Sequence, residues 1–363
     1  MVPSVSPLRS RQLELVQAVV ARVRGVDPSR SSPASWTLPD VQLSGLATGL
    51  TALATVVGVF EDASPDVQTH LREQCRQVAA RHHRFAALTP AVLAALADAD
   101  IVAVPVKGAV LGGSAGGAPA WPDPATRPMS DIDLLVPARH RAQAAAVLER
   151  SGWAMHATNP HEDTFLAWGG GGVGRTDGES VDHNGRIEVH PGWVEFLHGY
   201  TVRGFDIERY AVAQQEGGVR LGEPALAAHV IGHLASTVVR AEVRAVNVLD
   251  VWFLHQRGLD WASVASVMAA VDPRLTAPGL WLVDRLLPGV VPAAVLGAEM
   301  RRLPNGELLR RTETAAVLRD PGERTSARWR SAFATSGTER AAVVRQLGRS
   351  AAGRMRLRVA GRA

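Results

Sequence analysis

The pattern of apolar and polar positions changes period twice along the chain. Residues 8–24 carry apolar side chains at helical spacing, and a Pro/Ser-rich break follows from Val26 to Trp36. Three more helices are predicted over about 40–60, 64–86 and 89–99. Asp62 or Ser64 caps the second of these, and Thr89-Pro90 opens the third with Pro90 at its first helical position. The period then shortens. Ile101-Val-Ala-Val-Pro-Val106 is β-branched and bounded by charge, which predicts a buried strand, and Ile132–Val136 predicts a second. Phe165–Trp168 and Arg186–His190 are further strand candidates. Between them lie a Gly/Ala/Pro-rich segment from Gly112 to Pro124, which holds little that could pack and reads as a flexible loop or lid, a helix over 138–151 that stops at Gly152, and a glycine loop at Gly169–Gly174. From Pro224 the helical period returns over about 224–239, 243–257, 260–271, 275–286 and 291–303. After Pro304 the chain is Arg-rich and weakly periodic, with one candidate helix near 337–348. There is no internal repeat.

This layout predicts an α+β fold, a small mixed β-sheet core flanked by N-terminal and C-terminal helical regions. The expected divisions are 1–88 (N-terminal helices), 89–222 (α/β core), 223–304 (C-terminal helices) and 305–363 (an Arg-rich tail read as flexible).

Composition narrows the function classes. With 363 residues, 46% hydrophobic and 20% charged, the chain has the balance of a soluble globular protein. Its one cysteine, Cys75, excludes an intrachain disulfide and a cysteine-rich metal site. Arg9, Arg11 and Glu14 precede any long apolar run, and the longest apolar stretch, Gly45–Phe60, is broken by Thr and Gly. Neither a signal peptide nor a membrane span is expected, and a cytoplasmic location is. The net charge of +4 is uneven: residues 301–363 hold 15 Arg against five Asp plus Glu, so the rest of the chain is at −6. The basic tail offers a nucleic-acid contact or simply a solvated segment; the main body offers neither. Of 39 basic residues one is lysine, Lys107, a compact ammonium among guanidinium forks.

The chemistry concentrates in Arg127-Pro-Met-Ser-Asp131-Ile-Asp133-Leu-Leu-Val136. In a strand Asp131 and Asp133 project to the same side while Ile132 and Leu134 point into the core. Carboxylates one pleat apart repel unless a cation lies between them, and hard oxygen donors suit Mg²⁺ or Mn²⁺. Glu188, in Arg186-Ile-Glu-Val-His190, has the same frame, so a neighbouring strand could bring it to the Asp pair as a third metal-holding acid. Upstream, Lys107-Gly108 ends a strand where a glycine lets the backbone approach a phosphate.

Lys107-Gly108, the Arg127–Val136 run, the helix ending at Gly152-Trp153, and Glu188-Val-His190 together resemble the uncharacterised bacterial nucleotidyltransferase-like family of the DNA polymerase beta nucleotidyltransferase superfamily. The resemblance covers roughly 65–285, with His229, His233 and Leu249-Asp250 in its helical part. It implies a nucleotidyltransferase core in which Asp131, Asp133 and Glu188 are catalytic metal ligands and Lys107, Gly108, Arg127 and Ser130 bind the nucleotide. It implies an NTP substrate and transfer of a nucleoside monophosphate to an acceptor hydroxyl or phosphate, on a small molecule, an RNA end or a protein. Two departures stand out: Ala109 follows Gly108 where the superfamily has Gly or Ser, and the gap from Gly108 to Asp131 is long. Gly113-Ser114 is therefore a rival phosphate loop.

Other readings compete. Arg127 is a phosphate clamp or a salt-bridge partner of the acids; Ser130 is a turn residue that orients Asp131. His190 and His233 are supporting residues near the site. His229 and His233 at i, i+4 have zinc-binding spacing but lack the metalloprotease Glu, so packing on the core, with Asp250 as a partner, is the plainer reading. The alternative to an enzyme is a catalytically weak nucleotide-binding or regulatory, antitoxin-like module.

Overall fold

A computed structural model describes residues 5–26, 36–115, 118–158, 162–167, 185–191, 207–213, 218–270, 276–303, 305–320 and 333. The loop at Gly169–Gly174 and the candidate helix near 337–348 lie outside the described residues.

Alternation in two apolar runs builds the central sheet. Its strands are β1 (Val104–Val106), β2 (Ile132–Val136), β3 (Trp153–Thr158), β4 (Asp163–Ala167) and β5 (Arg186–Pro191), in the order β1-β2-β5-β4-β3. β2 and β5 are parallel and the other neighbours antiparallel, so the sheet is mixed and the fold is α+β as expected. Ile132, Leu134 and Val136 share one face with Ile187, Val189 and Phe165. Two helices, α4 (Pro65–Ala97) and α6 (Arg141–Arg150), cover that face through Phe85, Val92, Leu96, Ala144 and Leu148. On the other face Val104, Val106 and Leu135 join a larger core shared with the N- and C-terminal helices. Asp133, Glu188 and His190 stand on this second face, because a strand turns every second residue the same way.

The N-terminal helices are α1 (Pro7–Val23), α2 (Leu38–Thr48), α3 (Thr51–Val56) and α4. The Ser6 hydroxyl accepts from the Arg9 amide at the start of α1, and Gln12, Leu15, Val16 and Val19 are buried at helical spacing. Two predicted boundaries are corrected. The helix predicted over 40–60 is divided at Gly49, whose φ of +71° needs a glycine. The break predicted at Thr89-Pro90 does not occur, since α4 runs through Pro90. Proline removes one ladder hydrogen bond, but Phe85, Val92 and Leu96 on either side are buried, and their packing holds both halves on one axis.

β3 was not anticipated. It is an edge strand whose residues after Trp153 are largely exposed, so no apolar alternation marks it. The small β6–β7 pair (Ala211–Ala213, Val219–Leu221) was also missed and follows α7 (Ile207–Tyr210). The turn helix α5 (Gly108–Leu111) lies between β1 and β2.

The C-terminal helices fall close to their predicted spans: α8 (Glu223–Arg240), α9 (Val246–Gln256), α10 (Trp261–Ala270), α11 (Ala277–Leu286) and α12 (Ala293–Arg302). α8 is central and packs on α9, α10 and α11. A Cβ at Gly279 would lie 2.4 Å from the Ile231 carbonyl, so glycine is what lets α11 approach α8. The start of the basic tail is packed rather than loose. Past α13 (Gly306–Arg310), Ala315–Leu318 are buried, the buried Arg9 donates to the Leu318 carbonyl at 2.9 Å, and Gln12 donates to that of Arg319 at 2.7 Å. Among the described residues no helix is long and apolar enough to cross a membrane.

Candidate active site

The β-ladder registers assemble the site. Val106 of β1 is opposite Asp133 of β2, and Asp133 is opposite Glu188 of β5, so the two acids share a row across three strands and Lys107 follows at the end of β1. Lys107 Nζ donates to Asp133 Oδ1 at 2.6 Å, and His190 Nε2 lies 3.1 Å from the same oxygen and 3.8 Å from Glu188 Oε2. Asp133 is 3% exposed and His190 2%, so the group is dry. Lys107 reaches its position through a positive φ of 50°, an uncommon conformation for a residue with a side chain. The strand has ended and the chain is turning into α5 at that point.

The electrostatics are unequal. Burial alone would raise the Asp133 pKa, but the Lys107 charge and the His190 contact overcome it and hold that carboxyl well below the usual range. Glu188 behaves in the opposite way: burial, then the charges of Asp131 and Asp133, push it up to about 8. Burial and the Asp133 charge also raise Asp131. Lys107 is driven down by burial but more than recovers through Asp133, so it stays an ammonium. Arg186 pairs with Glu188 from the same strand. Three acids thus share two cations, and Glu188, raised to about 8, is the one that keeps its proton near neutral pH.

The donor set suits a divalent cation. Asp133, Glu188 and His190 each offer an atom within 4.8 Å of the others, two hard oxygens and an imidazole, and His190 Nδ1 is buried with no hydrogen-bond partner among the described residues. This differs from the expected trio. Asp131, one residue before β2, is not within that distance of all three, though its charge is the first to act on Glu188 after burial. It accepts from the Ser130 hydroxyl at 2.9 Å, the orienting contact expected of that turn residue. The imidazole read as a supporting group joins the acids instead, since His190 follows Glu188 on the same strand face.

Other expected residues are placed as follows. A Cβ on Gly108 would lie 2.6 Å from Arg127 Nη1 and 2.9 Å from Met129 Cγ, so packing already requires this glycine. At the rival loop the Ser114 hydroxyl is buried and donates to the Ala109 carbonyl, closing α5. Arg127 touches neither Asp131 nor Asp133. Its Nε and Nη2 grip both oxygens of Asp250 at 2.8 and 2.7 Å, and Nη1 donates to the Pro128 carbonyl. Asp250 therefore partners Arg127, not the α8 histidines. Trp121 Nε1 adds a third bond to Asp250 at 2.8 Å, and the Trp121 ring packs on Phe253 at 4.9 Å. The segment expected to be a lid is thus anchored by a tryptophan that is 1% exposed. His229 and His233 face the acids from α8. Burial, then the Lys107 charge, pulls His229 down to about 3 and His233 well below its usual value, so both are neutral.

A mixed sheet that carries a buried carboxylate–imidazole cluster beside a lysine turn, backed by a helical layer, defines an α+β protein with a donor set that could hold a metal ion. A family model described as an uncharacterised nucleotidyltransferase matches residues 49–288, about two thirds of the chain. The chain belongs to this uncharacterised nucleotidyltransferase family. No curated protein and no solved structure matches it.

Proposed function

We propose that the protein is a metal-dependent nucleotidyltransferase that moves a nucleoside monophosphate from an NTP to an acceptor hydroxyl or phosphate, as the polymerase-beta-like resemblance implies. The observation that carries this reading is the excess of buried acid: Asp133, Glu188 and His190 gathered within 4.8 Å, with Asp131 at the mouth. A buried carboxylate cluster is costly, and a protein that only packs there has no use for it. Mg²⁺ or Mn²⁺ held by these groups would supply positive charge to the phosphates and acidify the acceptor hydroxyl.

The chain's own residues would do the following. Lys107 places a fixed ammonium beside Asp133, where it meets the phosphates as charge leaves toward pyrophosphate. Ser130 holds Asp131. Arg127 braces the 127–131 turn on α9 and positions the acids rather than the nucleotide. The acceptor oxygen attacks the α-phosphorus in line, the bond to the pyrophosphate oxygen breaks, and the acceptor's proton passes to a carboxylate of the cluster.

One observation favours a second reading, a nucleotide-binding module with little turnover: Lys107 and Arg186 already sit on Asp133 and Glu188. Pyrophosphate release with each NTP and Mg²⁺ or Mn²⁺ separates the two. Release by the wild type and none by Asp133→Asn supports transfer. If Mg-NTP raises the melting temperature of the wild type and no pyrophosphate is ever released with a broad acceptor set, the binding reading takes its place.

A further inference from the structure

The cations around the acids are engaged: Lys107 on Asp133, Arg127 on Asp250, Arg186 on Glu188 and Arg141 on Asp163. Arg244 is not. Its guanidinium makes no hydrogen bond or ion pair with any described residue, and its Nε is shut off from solvent. Burial, then the charge of Arg319, lowers its pKa. The Asp131 charge offsets part of this, but a buried guanidinium with no hydrogen-bonded anion is costly, and its planar fork fits a phosphate or carboxylate in two-point fashion.

Arg244 lines a cleft of about 470 Å³ where α8 gives way to α9, together with His233, Thr237, Arg240, Asn247 and Arg319. That volume lies in the range of small-molecule sites. The cleft's two acids have partners: Arg240 Nε is 3.3 Å from Glu242, and Asp320 accepts from the Ser6 hydroxyl. Three arginines therefore stand against two acids, a surplus of one positive charge, and neither Arg244 nor Arg319 is in an ion pair among the described residues.

Two features bring the cleft next to the acid centre. His229, His233, Thr237 and Arg240 recur at i, i+4, i+8 and i+11, one face of α8. The histidine end of this stripe feels Lys107 and Asp133, and the arginine end enters the cleft. At Gly49 a Cβ would lie 3.3 Å from Arg244 Nη2 and 3.5 Å from Pro128 Cγ, which puts the guanidinium beside the turn that leads to Ser130-Asp131. From His233 to Arg240 the helix rises about 10 Å, so the stripe leads along α8 into the cleft.

We propose that this cleft is the acceptor subsite and takes a phosphate monoester group, so that the acceptor is a phosphorylated small molecule whose free hydroxyl is presented to the acids. This rests on the nucleotidyl-transfer reading of the neighbouring centre. Arg244 is the two-point ligand, Arg319 the outer charge, and Asn247 the neutral donor.

Calorimetric titration of the full chain with inorganic phosphate, and separately with a non-hydrolysable ATP analogue plus Mg²⁺, tests it on wild type, Arg244→Gln, Arg319→Gln and Asp133→Asn. Phosphate affinity should fall at least tenfold in Arg244→Gln, severalfold in Arg319→Gln and not at all in Asp133→Asn. Analogue affinity should be lost in Asp133→Asn and stay within twofold of wild type in both arginine variants. Arg244→Gln should melt no lower than wild type without anion, since it removes an unpaired buried charge, and the exposed Arg319 gives a second variant that does not threaten folding. Phosphate binding that is absent from the wild type, or indifferent to both arginines, overturns the proposal. Loss of the analogue in the arginine variants assigns the cleft to the nucleotide's own phosphates and overturns the acceptor role. Arginine-dependent phosphate binding in a wild type that ignores the analogue sinks the transfer reading, and the acceptor role with it.

Discussion

The acid centre and the Arg127–Asp250 clasp are both buried assemblies of carboxylate and cation, yet they are balanced differently. In the clasp one carboxylate receives three hydrogen bonds, two from Arg127 and one from Trp121, and opposite charges match one to one. In the centre Asp131, Asp133 and Glu188 share Lys107 and Arg186, and burial, then the charges of Asp131 and Asp133, pushes Glu188 up to about 8. A matched pair joins parts of a fold. An unmatched group waits for a further cation.

Substitutions can break this contrast, and the largest effect is expected at the centre. Asp133→Asn should cut nucleotidyl transfer by about 10⁴-fold with little change in melting temperature, measured as labelled NTP turnover. A comparable loss of stability in that variant would make the centre a second clasp. Next, Asp250→Ala should cost about 3–5 kcal/mol in urea denaturation, because it strands a buried guanidinium. Denaturation midpoints equal to wild type would show that Arg127 finds another anion and is not committed to α9.

The α8 wall of the centre sharpens the contrast through pH. His229 is held near 3 in the folded protein by burial and by Lys107, against about 6.5 in an unfolded chain. Its contribution is therefore complete above pH 6.5 and is lost as pH falls toward 3. At pH 5 the loss should be about 2 kcal/mol, and His229→Gln should flatten that slope. Identical slopes in the two proteins would mean that His229 titrates normally. The smallest effect belongs to the clasp: Trp121→Phe keeps the ring but removes one donor to Asp250, for about 1 kcal/mol by the same denaturation assay.

Much of the fold could be read from periodicity. The C-terminal helices and the paired strands β2 and β5 lie within a few residues of their predicted limits, because burial on one face writes a regular apolar pattern. β3 was invisible because its exposed edge carries no such pattern. The division at Thr89-Pro90 failed because packing on both sides outweighed one missing hydrogen bond. Trp121 sat unnoticed in a Gly/Pro-rich stretch, and nothing local in that stretch announces a partner 129 positions away.

The sequence alone marked out the candidate residues: the acids at 131, 133 and 188, the single lysine, and the glycine after it. Those choices are local, since a strand's two-residue repeat decides which side chains share a face. Only the tertiary structure decided how they combine. The parallel β2–β5 register put Glu188 and His190 against Asp133, the short β1 swung Lys107 onto the same oxygen, and the α8–α9 junction left Arg244 without a hydrogen-bonded anion among the described residues. Burial and pairing depend on segments far apart in the chain, and no spacing along it records them.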